Sequence, residues 1–166
     1  GWATVAGGPA AVAAPRGHWG AGCAMMGPLH GERWSAELEI AIRDCGGVAT
    51  GFHALRNRDG GGRIALHCHG GAFVSCPLSV YHFYGEIIAR ALGMPVAMPD
   101  YRLAPEHLFP AAHEDCFNAY RGLLDSGIEA GDICVLGESC GGSLALGALL
   151  RARDEGLPMP ACFVSV

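Results

Sequence analysis

Positive charge is scarce in this sequence: 11 Lys and Arg stand against 16 Asp and Glu, a formal net charge of −5 over 166 residues. That balance excludes the basic footprint of a nucleic-acid binder and polybasic docking to a membrane surface. Charge of either sign is low at 16%, while 51% of the residues are hydrophobic, so the composition is that of a core-forming domain rather than a disordered chain. No membrane span is read. The uncharged opening from Gly1 to Pro15 is full of Gly, Ala and Pro and lacks the basic n-region of a signal peptide. A soluble, cytoplasmic chain is expected. No C-x-x-C pair occurs among the eight cysteines, which leaves zinc-ribbon and thioredoxin-like readings without an anchor. Reduced thiols are expected, because the cysteines lie within apolar strand and helix patterns in a chain large enough to build a core without disulfides. No internal repeat is visible. The chain begins with Gly1 and stops inside the apolar run Ala161 to Val166, which reads as a fragment.

Residues 1–34 hold eight Gly, eight Ala and three Pro and show neither helical nor strand periodicity, so they read as a loosely ordered leader before a folded domain over 35–166. Leu38, Ile40 and Ile42 alternate, Gly46-Gly47 marks a turn, and Val48 to Leu55 is a second extended segment, which together predict a hairpin. Arg63 to Cys68 is a third strand. Ser79 to Leu92 carries apolar residues at helical spacing (Phe83, Ile87, Ala91) and closes on Gly93. Pro95 to Met98 then reads as a short buried strand, Ala111 to Leu124 as a helix with Phe117, Tyr120 and Leu124 on one face, and Asp132 to Leu136 as a strand. Ser139 to Glu155 follows as a helix, and Ala161 to Val166 begins another strand. Links this short suit parallel crossover units, so the fold class is α/β: a mixed, mostly parallel sheet with helices on both faces.

Two constellations carry chemistry. Gly137-Glu138-Ser139-Cys140-Gly141 matches G-x-S-x-G between an apolar strand and an amphipathic helix, the context that motif requires. Its glycines let the backbone turn sharply at Ser139 and hold the hydroxyl above the strand ends, over a helix N-terminus that favours developing negative charge. The plainer reading is a helix N-cap with close-packed glycines. His69-Gly70-Gly71-Ala72-Phe73 follows the third strand, where the bare N–H groups of Gly70 and Gly71, with that of Cys140, are placed to form an oxyanion hole. Taken alone, this segment reads first as a plain Gly-rich turn, and it is the pairing with the elbow that turns the reading to an oxyanion hole.

Three segments together resemble a family. His69 to Phe73 is similar to an HGGG-type loop, Asp100-Tyr101-Arg102-Leu103-Ala104-Pro105-Glu106 to a DYRLAPE segment, and Gly137 to Gly142 to a GDSAGG elbow, in the same order and spacing as in the hormone-sensitive-lipase-like α/β-hydrolases. The resemblance runs from about Leu38 to Val166 and implies ester hydrolysis through an acyl-enzyme. Ser139 would be the nucleophile, Gly70, Gly71 and Cys140 the oxyanion donors, and His69 a brace of the loop. A small-molecule ester substrate is implied, and no metal or organic cofactor. Ala72 stands where a third glycine is frequent, Glu138 where Asp is usual, and Cys140 where Ala is usual. Residues 1–34 do not read like the helices that cap the pocket in this family.

The triad of this fold runs Ser, then Asp or Glu, then His along the chain. Only 27 residues follow Ser139 and none is histidine, so the acid and base are expected outside this sequence, and a catalytically inactive hydrolase-like module is the alternative reading. Asp154 and Glu155 read as solvated surface charges, and His107 and His113 as structural. A metal site built on His67 and His69 with Cys76 or Asp100 is the competing chemistry. Arg102 and Glu106 read as a structural pair, Tyr101 as scaffold, the run Tyr81, Phe83, Tyr84 as helix packing, and His82 as surface. The final strand would leave an apolar sheet edge prone to self-association.

Overall fold

A computed structural model describes residues 37–56 and 58–166; the expected leader over 1–34 lies outside them. Strands β1 (Leu38–Cys45) and β2 (Val48–Leu55) pair antiparallel from Leu38 opposite Leu55 to Cys45 opposite Val48. The Gly46-Gly47 turn has φ of 67° and 84°, the doubly positive pair that a two-residue hairpin needs to match strand twist. β2 continues antiparallel onto β4 (Val96–Pro99), and β3 (Ile64–Cys68), β4 and β5 (Ile133–Gly137) run parallel. β6 (Cys162–Ser165) adds parallel to β5, giving the order β1-β2-β4-β3-β5-β6. This is the mixed, mostly parallel sheet that the alternation of elements predicts.

Helix α1 (Leu78–Leu92) covers one face of the sheet, and α2 (Ala111–Asp125) and α3 (Cys140–Asp154) cover the other. Every residue of β3 is buried, as a strand roofed on both sides requires. Ile64, Leu66 and Cys68 pack with Phe117, Tyr120, Leu123 and Leu144 of α2 and α3, whereas Ala65 joins Val96, Met98 and the α1 residues Leu78, Tyr81 and Ala89. Large side chains such as Phe117 and Tyr120, fully buried, contribute about 1.5–3 kcal/mol each. The α2–α3 side therefore anchors the sheet. On the other side, the Asp100 carboxylate accepts from the Leu78 N–H at 3.0 Å at the start of α1, and Gly93 ends the helix in the left-handed region at φ 65°.

The local expectations for Arg102 and His82 change. Arg102 pairs with Asp115 rather than Glu106: its guanidinium donates to both carboxylate oxygens at 2.8–3.1 Å, and its backbone N–H to Oδ2 at 2.9 Å. Asp115 is buried on the first turns of α2, so the pair fixes the loop after β4 to that helix. His82 is not a surface residue; it is half-buried, with Nδ1 2.8 Å from Nε2 of the buried His53. Asp154 and Glu155 are exposed, each in an ion pair with a neighbouring arginine. The seven described cysteines are free thiols. No helix among the described residues is long and apolar enough to cross a membrane.

Candidate active site

The parallel strands β3, β4 and β5 end on one edge of the sheet, and the two glycine-rich segments sit there. Ser139 has φ 51° and ψ −125°, a strained conformation for a residue with a side chain and the kind of outlier that marks functional turns. Tight glycine packing imposes it. A Cβ at Gly137 would lie 2.5 Å from the Gly141 carbonyl oxygen, and one at Gly141 would strike the Cys68 carbonyl and lie 2.5 Å from that of His69. Helix α3 therefore starts in backbone contact with the end of β3. The Ser139 N–H donates to Val166 O at 2.8 Å, the Gly141 N–H to Glu138 O at 2.7 Å, and the Gly142 N–H to Ser139 O at 3.0 Å. Because a trans peptide points its N–H opposite to its C=O, the bond at Ser139 O turns the Cys140 N–H outward from the N-terminus of α3.

The loop after β3 comes directly against this elbow: a Cβ at Gly70 would lie 3.3 Å from Ser139 Cβ. Its peptide planes are fixed one after another. The buried Tyr101 hydroxyl donates to His69 O at 2.8 Å, and His69 Nδ1 lies 2.7 Å from Gly70 O. A carbonyl only accepts, so Nδ1 carries the proton. Burial lowers the His69 pKa, and the ring is a neutral brace stacked on Tyr101 at a centroid distance of 4.2 Å. The Gly71 carbonyl accepts from the N–H groups of Val74 (3.1 Å) and Ser75 (3.0 Å) and from the Ser75 hydroxyl (2.9 Å). With the carbonyls of Gly70 and Gly71 turned inward, the N–H groups of Gly71 and Ala72 face the other way. Ala72 holds φ 54° and Phe73 φ 65°, so the turn is strained without its third glycine.

Gly70 departs from its expected role as an oxyanion donor. Its N–H donates to Glu138 Oε1 at 3.2 Å, and an amide committed to a carboxylate is not open to a second anion. The N–H groups of Gly71, Ala72 and Cys140 make no hydrogen bond to a described residue. Glu138 also accepts from the Tyr81 hydroxyl at 2.5 Å. Burial raises its pKa, but the bonds from Tyr81 and Gly70 and the nearby His67 outweigh that, and the net shift is downward. His67 shares the α1 side with His69, and both rings contact Tyr81; burial pushes its pKa down to about 4. The metal set of His67, His69 and Cys76 or Asp100 does not assemble: no group of three such ligands forms among the described residues. The Ser139 hydroxyl makes no hydrogen bond to a described residue. His107 and His113 line an apolar cavity of about 330 Å³ with Arg102 and Phe109, and Ala72 and Phe73 of the loop after β3 form part of its wall.

The family described as alpha/beta hydrolase fold matches residues 65–166, more than half of the chain and the part that carries both segments. The chain is an α/β-hydrolase of the hormone-sensitive-lipase-like group. This hydrolase is 38% identical over 105 residues to an acetyl-hydrolase of Streptomyces hygroscopicus, a match covering 63% of this chain and 35% of that protein. It is 38% identical over 101 residues to the hormone-sensitive lipase of Mus musculus, covering 58% of this chain and 13% of that one. An esterase from the bacterial hormone-sensitive lipase family superposes with a TM-score of 0.76 at 34% identity, over 81% of this chain and 45% of that chain. The chain thus spans about a third of the length of the Streptomyces relative and less than half of the solved structure.

Reading the sequence missed Glu138, Tyr81 and Tyr101 as braces of the site. Glu138 sits inside the motif, where the sequence marks it only as a departure from Asp. Nothing in the spacing of Tyr81 and Tyr101 announces that their hydroxyls meet the loop.

Proposed function

We propose that this chain supplies the nucleophile and the oxyanion-binding half of a serine carboxylic-ester hydrolase that works through an acyl-enzyme. The observation that carries the reading is the contact between two strained turns: Ser139 at φ 51° lies against a loop whose Gly71 and Ala72 amides, with that of Cys140, are open to an anion. In the proposed step, Ser139 Oγ attacks the ester carbonyl, the carbonyl π electrons move to oxygen, and the hydroxyl proton passes to a base. The three amides receive the oxyanion, each such donor being worth about 10²–10³ in rate. Collapse expels the alcohol and leaves an acyl-serine, which water then hydrolyses. Small acyl esters are the proposed substrates, in keeping with the acetyl-hydrolase relative.

No described histidine bonds Ser139 and no histidine follows it in the sequence, so, with the triad of this fold running Ser, acid, His, the proposal places the base and its acid outside these 166 residues. The same observation favours a second reading for the chain on its own, a catalytically silent module, since a serine without a base is a weak nucleophile. Turnover of p-nitrophenyl acetate separates the readings. The full-length gene product is expected to lose activity on Ser139→Ala, and the isolated chain to show at most the residual left without a triad member, about 10³–10⁴ over water. Undiminished turnover after Ser139→Ala in the full-length product would remove Ser139 from the mechanism.

A further inference from the structure

We propose that Glu138 is a positioning residue, whose side chain ties the oxyanion loop to the elbow and to α1 and so sets the direction in which the Gly71 and Ala72 amides point. This inference rests on the function proposed above and adds a residue to it. Both bonds end on one oxygen: Oε1 accepts from the Gly70 N–H at 3.2 Å and from the Tyr81 hydroxyl at 2.5 Å. Tyr81 is buried on α1, Gly70 lies just past the end of β3, and Glu138 immediately precedes the strained serine. One carboxylate thus joins three elements.

The bond at Gly70 also completes the alignment of the loop. Tyr101 fixes the peptide 69–70 through its carbonyl, and Glu138 fixes the same plane through its N–H. His69 and the Ser75 hydroxyl hold the next two carbonyls. Without Glu138 the first plane is held from one side only, and rotation there is passed to the two planes that carry the open amides. A misplacement of about 1 Å in such donors costs about 10²-fold in rate. Burial and the neighbouring carboxylate push the Tyr81 phenol pKa up, which keeps the hydroxyl a donor.

Hydrogen exchange of the isolated chain reads this without turnover. Glu138→Ala is expected to speed exchange of the Gly70, Val74 and Ser75 amides about tenfold, with the β1–β2 hairpin unchanged as the control for folding. Glu138→Gln keeps an oxygen that accepts both bonds and is expected to stay within about threefold of the parent. In the full-length gene product, Glu138→Ala is expected to lower kcat about tenfold or more with KM little changed, and Glu138→Gln to restore it. Should Glu138→Ala unfold the hairpin as well, Tyr81→Phe removes one of the two bonds and is expected to speed exchange in the loop alone. Loop exchange unchanged in Glu138→Ala, or Glu138→Gln as fast as Glu138→Ala, would overturn the proposal. Loss of the Ser139 assignment would leave the exchange result standing, so the two failures are distinct.

Discussion

Gly141→Ala tests whether close contact between α3 and β3 shapes the elbow. The added methyl would meet the carbonyl oxygens of both Cys68 and His69, the latter at 2.5 Å, where carbon contacts normally lie near 3.5 Å. Backbone cannot turn aside as a side chain does, so α3 must lift from the end of β3 by about 1 Å. Against backbone such overpacking falls at the upper end of its range, about 2–3 kcal/mol, offset by about 1 kcal/mol from the better helix propensity of alanine, for a net loss of about 1–2 kcal/mol. With a urea slope of about 2 kcal/mol/M, the midpoint followed by far-ultraviolet circular dichroism falls by roughly 0.5–1 M. Gly147→Ala on the same helix is the control. Its methyl would meet only Cδ2 of the His113 ring at 3.0 Å, an edge that can swing away, so the midpoint should hold or rise. Equal shifts for the two variants, or an unshifted Gly141→Ala, would refute the argument from backbone contact.

Arg102→Ala leaves the buried Asp115 carboxylate with the backbone N–H at position 102 as its hydrogen-bond donor among the described residues, and a loss of about 1–2 kcal/mol is expected in the same titration, discounted because the arginine is partly exposed. Stability should fall as the solution is acidified from pH 6.5 to 4: burial lowers the His53 and His67 pKa values to about 4, so the unfolded chain binds protons there that the folded one refuses. The loss is on the order of 3 kcal/mol for each, complete near the folded value, and urea titrations with a midpoint flat across that range would contradict it. Strand β6 forms one edge of the sheet with Val164 exposed, and the isolated chain is expected to self-associate with concentration in analytical ultracentrifugation. Val164→Lys should reduce that association.

The sheet was legible because its strands are bounded by turn residues whose meaning is local. Gly46-Gly47 marks the hairpin and Gly93 closes α1, whose start at Leu78 lies within one residue of the expected one; its face was not legible, because Phe83, Ile87 and Ala91 are exposed while Leu78, Tyr81 and Ala89 pack on the sheet. The elbow was legible for the same reason, since G-x-S-x-G between strand and helix is a contiguous signal. What was not legible depends on partners far apart in the chain. Glu138 meets Gly70 across 68 residues and Tyr81 across 57, and neither separation has a period. Arg102 passes over Glu106 for Asp115 because the start of α2 brings that carboxylate beside it. The Gly70 amide is taken up by Glu138 for a related reason: a bare amide in sequence says nothing of which acceptor reaches it first.

The backbone of the strained serine is held by a residue well downstream of it: the Ser139 N–H donates to Val166 O, and the Val166 N–H returns to Gly137 O at 3.0 Å. On a ribosome, where residues emerge from the N-terminus onward, the turn at Ser139 is made before its hydrogen-bonding partner exists. A nascent polypeptide that has not yet released Val166 therefore carries the serine in an unfastened turn, and that turn is fastened only once β6 has followed β5 into the sheet.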